Sequence, residues 1–470
     1  MPVLVRHTTF RFCLDPTVEQ SAALARHAGA ARFASNTCLR LVKQALTAKQ
    51  DDPGVKVPWT GFDLINTFNA WKKTEDAGRV FTVDSTGTAE AVVTGLSWRS
   101  DVCQQVFEEA AVDLGKGLAA FIASRKCDRA GRRVGFPRFK RKGKAVESFR
   151  LRNKHRKAGK PPIRVGDADL PRSVTLPGVG AVRVHDDTRR LRRLTRSGRG
   201  RILFATVSRR GGRWYVSLNV EAAALHPQQR HDPQLVDAAG FVGVDRGLHD
   251  LAVAASADGA ETARIPSPKH LHQAQAQQRR LARAVTRKPT GSKNRRKAAA
   301  RLGRHHQQTR NRRHHVLHAV ANTLAQYPRV AVEDLNVQGM LRNNSLARSI
   351  SDAAWTELAR LLKYRQDWRG GQVVTVDRWF PSSKTCSGCG AVDPDLTLAQ
   401  RTYRCAQCGL VLDRDLNAAV NIAAWADAHT ARDREATGPD TNARRGEGSD
   451  QRSRAGETSP SEAGTHHAAA

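Results

Sequence analysis

Three things are scarce in this chain of 470 residues, and each shortage argues against a class of protein. No apolar run approaches the roughly eighteen residues of a membrane span. The first residues, MPVLVRHTTFRF, hold no apolar stretch of signal-peptide length. A membrane-embedded or exported protein is therefore not expected, and a cytoplasmic one is. Acids are the second shortage: 44 Asp plus Glu stand against 78 Lys plus Arg, a net charge of +34. Such a chain repels itself unless it lies against a polyanion. The cations are spread over most of the length instead of being gathered on one amphipathic helix or tail, so nucleic acid fits better than a membrane surface. Cysteine is the third, with eight residues. Four of them, Cys13, Cys38, Cys103 and Cys127, show no pairing pattern and read as reduced, buried small residues, which argues against a disulfide scaffold.

The other four are differently arranged. Cys386 and Cys389 form one C-x-x-C, Cys405 and Cys408 a second, and fifteen residues separate the pairs. This is the spacing of a zinc ribbon: each turn aims two thiolates at one tetrahedral ion, and glycines at 388, 390 and 409 suit tight knuckles. Two disulfides or four buried thiols are the plainer alternatives. A four-thiolate site leaves no open coordination position, so its zinc is expected to be structural.

In chain order, residues 1–14 read as a strand with period-two alternation, and D-P-T-V-E-Q behind it is a helix-start signal with Glu19 downstream. Residues 15–128 read as a helical module. The stretch 129–222 opens with a basic run containing Phe136, Phe139 and Phe149, then alternates as a small β-barrel or sheet, with G-G-R-W-Y as a hairpin turn. The first strand is expected to join that sheet, with the helices inserted into it. In the basic run, Arg138 and Lys140 are candidate phosphate contacts and the phenylalanines either stacking platforms or core anchors. A linker at 223–239 precedes a second domain at 240–380 whose long polar segment, 269–327, reads as a helical hairpin. The hairpin's second arm has nine Lys or Arg between Lys293 and Arg313 and no acid, including Lys293, Arg295, Arg296 and Lys297. A nucleic-acid groove is favoured there over a merely solubilising face. The ribbon spans 381–411, a helix begins within 412–425, and 426–470 reads as a disordered tail.

Asp245 and Glu333 each close a short apolar strand, while Asp413 and Asp415 lie just before or within the first turn of a helix. Such positions gather acids from distant sequence at one sheet edge. Three convergent carboxylates are what Mg²⁺ or Mn²⁺ requires, and two such ions can activate water and stabilise the leaving oxygen of a phosphodiester. An Asp after a strand is more often a turn or cap residue. As a set in a basic chain, acids in apolar surroundings call for cations to neutralise them.

The order G-V-D-R-G-L-H-D-L-A-V, V-A-V-E-D-L-N-V, R-W-F-P-S-S-K-T-C-S-G-C-G, Y-R-C-A-Q-C-G and D-R-D-L-N-A-A-V-N-I closely resembles the TnpB (OrfB) family of bacterial insertion sequences. It is also similar to the RuvC-like part of type V CRISPR effectors. F-R-F-C-L-D-P-T-V-E-Q, G-F-P-R-F-K and G-G-R-W-Y-V-S extend the likeness into the N-terminal half. The resemblance implies a multidomain α/β protein: an RNase H-like (RuvC-type) nuclease domain with a zinc-ribbon insertion, preceded by a wedge β-barrel carrying an inserted helical recognition lobe. It implies RNA-guided cleavage of double-stranded target DNA beside a short flanking motif, with a guide made from the transposon's own end. It assigns Asp245, Glu333 and Asp415 as the catalytic acids holding Mg²⁺ or Mn²⁺, and leaves Asp413 and Asp334 as neighbours. Two other readings stay open: a nucleic-acid-binding regulator with a vestigial site, and a strand-joining transposase, which also begins with metal-assisted attack on a phosphodiester.

Overall fold

A computed structural model describes residues 5–129, 132–154, 159–167, 169–223, 229–397 and 399–436. Strand β1 (Val5–Asp15) leads into α1 (Val18–Asp51) and α2 (Gly61–Trp71). A hairpin of β2 (Arg79–Val83) and β3 (Ala89–Thr94) follows, then α3 (Gln105–Arg125). Thr17 caps α1 in a capping box with Gln20, not with Glu19, whose carboxylate accepts from the Thr17 hydroxyl. The module expected to be helical thus contains a β-hairpin. Its strands have almost no buried position, so their alternation marks no core.

Next come β4 (Ser148–Arg152), β5 (Arg164–Val165), β6 (Ser173–Leu176), β7 (Gly180–Val184), α4 (Arg189–Arg196), β8 (Gly200–Arg210) and β9 (Arg213–Ala223). These strands and β1 form a seven-stranded sheet of order β4-β8-β9-β1-β7-β6-β5. The long β1 pairs antiparallel with both β9 and β7. No ladder joins β4 to β5 among the described residues. The buried Asn153 spans the gap, exchanging two hydrogen bonds with the backbone of Ile163 and donating a third to Ile202 O, each 2.9 Å. Gly211 and Gly212, at φ 56° and 79°, make the two-residue turn between β8 and β9. One hydrophobic core joins this sheet to α1, α2 and α3, with Leu24, Ala28 and Ala31 in the same cluster as Leu151, Val174 and Val182.

The second half begins with α5 (Pro233–Ala238), a short helix in the expected linker. Strands β10 (Val242–Asp245), β11 (Asp250–Ser256) and β12 (Glu261–Pro266) precede the hairpin of α6 (His270–Thr286) and α7 (Lys293–Leu324). After β13 (Arg329–Glu333), α8 (Val337–Met340) and α9 (Ala347–Ala353), Ala354 in the left-handed region breaks the chain before α10 (Trp355–Arg369). Then come β14 (Gln372–Val376), the small ladder of β15 (Thr402–Arg404) and β16 (Val411–Asp413), and α11 (Arg414–Ala436). The five-stranded sheet has the order β12-β11-β10-β13-β14, with β10, β13 and β14 parallel. Alternation sorts its two faces. Val242, Val244, Val330 and Val332 pack against α7 and α10, while Phe241 and Ala331 turn to α11. Strands buried on both faces read as continuous apolar runs, as these do.

Helix α11 continues to Ala436, so residues 426–436 are helical, a correction to the expected tail; 437–470 lie outside the described residues. Cys127 is exposed, which corrects its reading as a buried residue; Cys38 is buried, and Cys13 and Cys103 are half-buried. Among the described residues, no helix is long and apolar enough to cross a membrane.

Candidate active site and metal centre

In the parallel pair β10–β13, Val244 faces Val332, so the next residues, Asp245 and Glu333, leave adjacent strands side by side at their C-terminal ends. Neighbouring strands lie about 4.8 Å apart, which sets the scale of their separation. Asp415, buried at 6% exposure, comes from the first turn of α11. Burial, then the charges of Glu333 and Asp415, hold the Asp245 carboxyl well above the usual carboxylate range, with Arg414 and Arg246 pulling more weakly the other way. Glu333 and Asp415, from two other places in the sequence, thus lie near enough to Asp245 to act on its carboxyl.

Glycine lets the third acid come so close. A Cβ on Gly243 would lie 2.1 Å from Ala419 O and 2.4 Å from Ala423 N, so the backbone of α11 rests directly on β10. Ala419 is one turn beyond Asp415, and Asp427, past the middle of the same helix, accepts from Phe241 N–H at 2.9 Å. Gly243 in β10 and Phe241 just before it therefore fix the height of Asp415 over Asp245. Gly243→Ala should lift the helix, destabilise the fold by about 1–3 kcal/mol and slow any reaction at the acids, although no acid is altered. A melting curve and an activity assay on that variant check this; an unchanged melting temperature would refute the close-approach account.

Other groups brace the pocket. The buried Arg246 donates to Trp355 O at 3.3 Å and to Glu333 O, tying the β10 turn to the end of β13. Ser382 Oγ donates to Glu333 Oε1 at 2.5 Å. Arg414 and Arg401 lie 3.2 and 3.7 Å from the Asp415 oxygens. Asp413 caps α11 by accepting from Leu416 N–H at 3.0 Å and pairs with Arg264, and Asp334 pairs with Arg378. Both neighbours are thus engaged in structural contacts. Arg246 and Ser382 are polar residues that sequence reasoning passed over: neither follows an apolar period, and only their nearness in sequence to Asp245 and Cys386 marks them.

The four ribbon sulfurs lie within 4.8 Å of one another, with Cys386 Sγ 3.5 Å from Cys408 Sγ and Cys389 Sγ 3.6 Å from Cys405 Sγ. Zn–S bonds of about 2.3 Å in a tetrahedron require edges of about 3.8 Å, so this donor set fits zinc. The two knuckles are built alike: Gly390 N–H donates to Cys386 O and Gly409 N–H to Cys405 O, with both glycines left-handed at φ 78° and 74°. Gly388 is not in that region. The N–H of Cys408 leads the causes that draw the Cys405 thiol down to about 6. Asn417 and Asn421, both buried on α11, tie the ribbon to the pocket: Asn417 bonds Ser387 N and Thr385 O, and Asn421 bonds Ser382 O and Thr385 O.

Of the basic candidates, Lys293, Arg296 and Lys297 are exposed on the first turns of α7, and Arg138 and Lys140 are exposed in the segment before β4. Asn36 exchanges two hydrogen bonds with the backbone of Lys140, holding that segment against α1. Arg295 is half-buried and donates to Lys288 O at 2.9 Å, so it closes the hairpin loop. Phe149 belongs to the core and Phe136 packs on Phe121, while Phe139 remains 47% exposed beneath Lys43.

Comparison with known proteins places the chain. Proteins of two Mycobacterium tuberculosis strains, each carrying the name "Putative RNA-guided DNA endonuclease", are 33% identical to it over 423 residues, covering 88% of this chain and 86% of theirs. The chain belongs to the TnpB (OrfB) family. Within this TnpB-family chain, the OrfB family described as a probable transposase matches residues 224–344, and a Cas12f1-like TNB domain matches 355–422. A domain described as helix-turn-helix matches 1–51, whose described residues, from 5 on, form one strand and one 34-residue helix. The InsQ protein of Escherichia coli K12 is 28% identical over 436 residues, 89% of this chain and 92% of its own. Among solved structures, a Cas12f1–guide RNA–target DNA complex aligns at TM-score 0.32 and 12% identity over 89% of this chain and 99% of that one.

Proposed function

We propose that this TnpB-family chain is an RNA-guided DNA endonuclease of a transposable element, hydrolysing DNA phosphodiesters at the Asp245–Glu333–Asp415 pocket. The observation that carries the reading is geometric: Asp245 and Glu333 end adjacent parallel strands, and an Asp415 oxygen lies 3.8 Å from where a Cβ on Gly247, in the turn after β10, would stand, all in a strongly basic protein. Those three side chains would hold Mg²⁺ or Mn²⁺, hard ions suited to a carboxylate set, which supply water activation and charge stabilisation to phosphodiester hydrolysis. The rest falls to the protein. Ser382 holds the Glu333 carboxylate in one orientation, Arg246 fixes the strand ends, and Arg414 and Arg401 balance Asp415. The names of the relatives support the same activity.

A guide RNA copied from the transposon's end would choose the target by base pairing, while the protein reads a short flanking motif and the shape of the heteroduplex. The exposed cations of α7 and of the segment before β4 would hold the nucleic-acid backbones. The test is to purify the full chain with its RNA, sequence that RNA, and offer a plasmid matching the guide. Linear product with Mg²⁺ and none with EDTA is the expected result. Joined donor and target strands would favour a transposase, and binding with no product a regulator.

A further inference from the structure

We propose that Trp379 is a stacking platform for a nucleobase of the DNA strand presented to the acid pocket, an assignment that rests on the nuclease reading. Eight tryptophans occur in the chain; the other seven are buried in a hydrophobic core or packed against one, whereas Trp379 is 85% exposed. A side chain with that much apolar area ordinarily folds onto the nearest apolar surface. Here it does not. Asp377 Oδ1 accepts from Trp379 N–H at 2.7 Å, and the next residue, Phe380, packs against the cluster around Trp425.

Both ends of the bridge that carries Trp379 grip the end of β13. Arg378 bonds the backbone and side chain of Asp334, and Ser382 bonds Glu333 itself. The indole therefore stands on a five-residue span braced at both ends against an acid of the pocket or its neighbour. Its neighbours in sequence are a half-exposed arginine and a phenylalanine turned inward, so it does not head an apolar run of the kind a protein partner covers. A lone exposed π-face on a braced span, next in sequence to a cation and three residues from the serine that bonds Glu333, matches single-stranded nucleic acid, whose bases stack on aromatics without regard to sequence.

The test uses the full chain with its guide RNA and the variants Trp379→Ala, Trp379→Leu and Trp379→Phe. Alanine and leucine should slow single-turnover cutting of guide-matched DNA by about tenfold or more, and phenylalanine should stay within about threefold of the parent. Melting temperature, zinc content and RNA affinity should not move. An abasic nucleotide walked across the cut site should slow the parent at one position and have no further effect there on Trp379→Ala. Parental cutting by the alanine variant, leucine matching phenylalanine, or an additive abasic effect would each overturn the assignment. If alanine does not fold, the leucine and phenylalanine variants decide. If the parent cuts nothing, the nuclease reading fails and stacking is judged alone: oligothymidine should quench the parent's tryptophan fluorescence more than that of Trp379→Phe, and equal quenching would overturn it.

Discussion

Asp245→Ala should, on the proposed nuclease function, leave a ribonucleoprotein that binds its RNA like the parent and cuts guide-matched plasmid at least about a thousandfold more slowly, because losing a proposed metal ligand would remove several kcal/mol of charge stabilisation. The RNA should be indifferent: Asp245 lies at the end of β10 among acids, and a carboxylate there offers an RNA backbone no attraction. Asp245→Asn sharpens the test by keeping the shape and removing the charge. The folded protein holds the Asp245 carboxyl above its ordinary value of about 3.9, so the unfolded chain releases this proton first. Metal-free stability therefore falls as pH rises from about 4 towards the folded value, and the loss is complete above it. Asparagine removes that titration. In metal-free buffer at neutral pH the variant should melt above the parent, and the two should converge below about pH 4. Adding Mg²⁺ should then raise the parent's melting temperature more than the variant's. Cutting at the parental rate by either variant, or loss of RNA binding and cutting together, would overturn the assignment of Asp245.

The acids could be found in the sequence because V-G-V-D and V-A-V-E are buried on both faces: an unbroken apolar run that stops at a carboxylate marks a strand end with few other readings. The ribbon was readable for a different reason, since ligand spacing is set by the geometry of the ion and the tightness of the turn. What holds these parts together was not readable. Ser382, Asn417 and Asn421 act across elements through single hydrogen bonds, and a polar residue buried by its partner leaves no period in the sequence. Helix α4, R-R-L-R-R-L-T-R, buries only Leu191 and was hidden among strands. The last turns of α11 are polar, so a pattern sought in apolar residues ends at Trp425 while the helix continues. Trp379 shows the same limit from the other side, since its composition says core and only the structure shows the ring in solvent.

Cys386→Ser should remove most of the bound zinc, about one ion per chain in the parent, and lower the thermal stability of the ribbon in the same step. The argument begins with the ribbon's small core: apart from its cysteines it buries Tyr403 and Leu396, with Ala391 and Leu410 partly covered, too little apolar area to hold some thirty residues without a metal. Binding free energy is then folding free energy, and a ligand exchanged for a poor one weakens both. The effect should not stop at the ribbon. Ser387, Thr385 and Ser382 at its base are the residues that Asn417 and Asn421 hold, and Ser382 also orients Glu333. Melting the knuckles loosens that base, so cutting should fall sharply although Asp245, Glu333 and Asp415 are all present, and excess Mg²⁺ should not restore it. Cys127→Ser, at an exposed cysteine outside the ribbon, serves as the control and should leave zinc content, melting and cutting unchanged. Zinc content equal to the parent's in Cys386→Ser would remove the four-thiolate site. Full cutting by a zinc-depleted variant would instead keep the site and break its mechanical link to the acids.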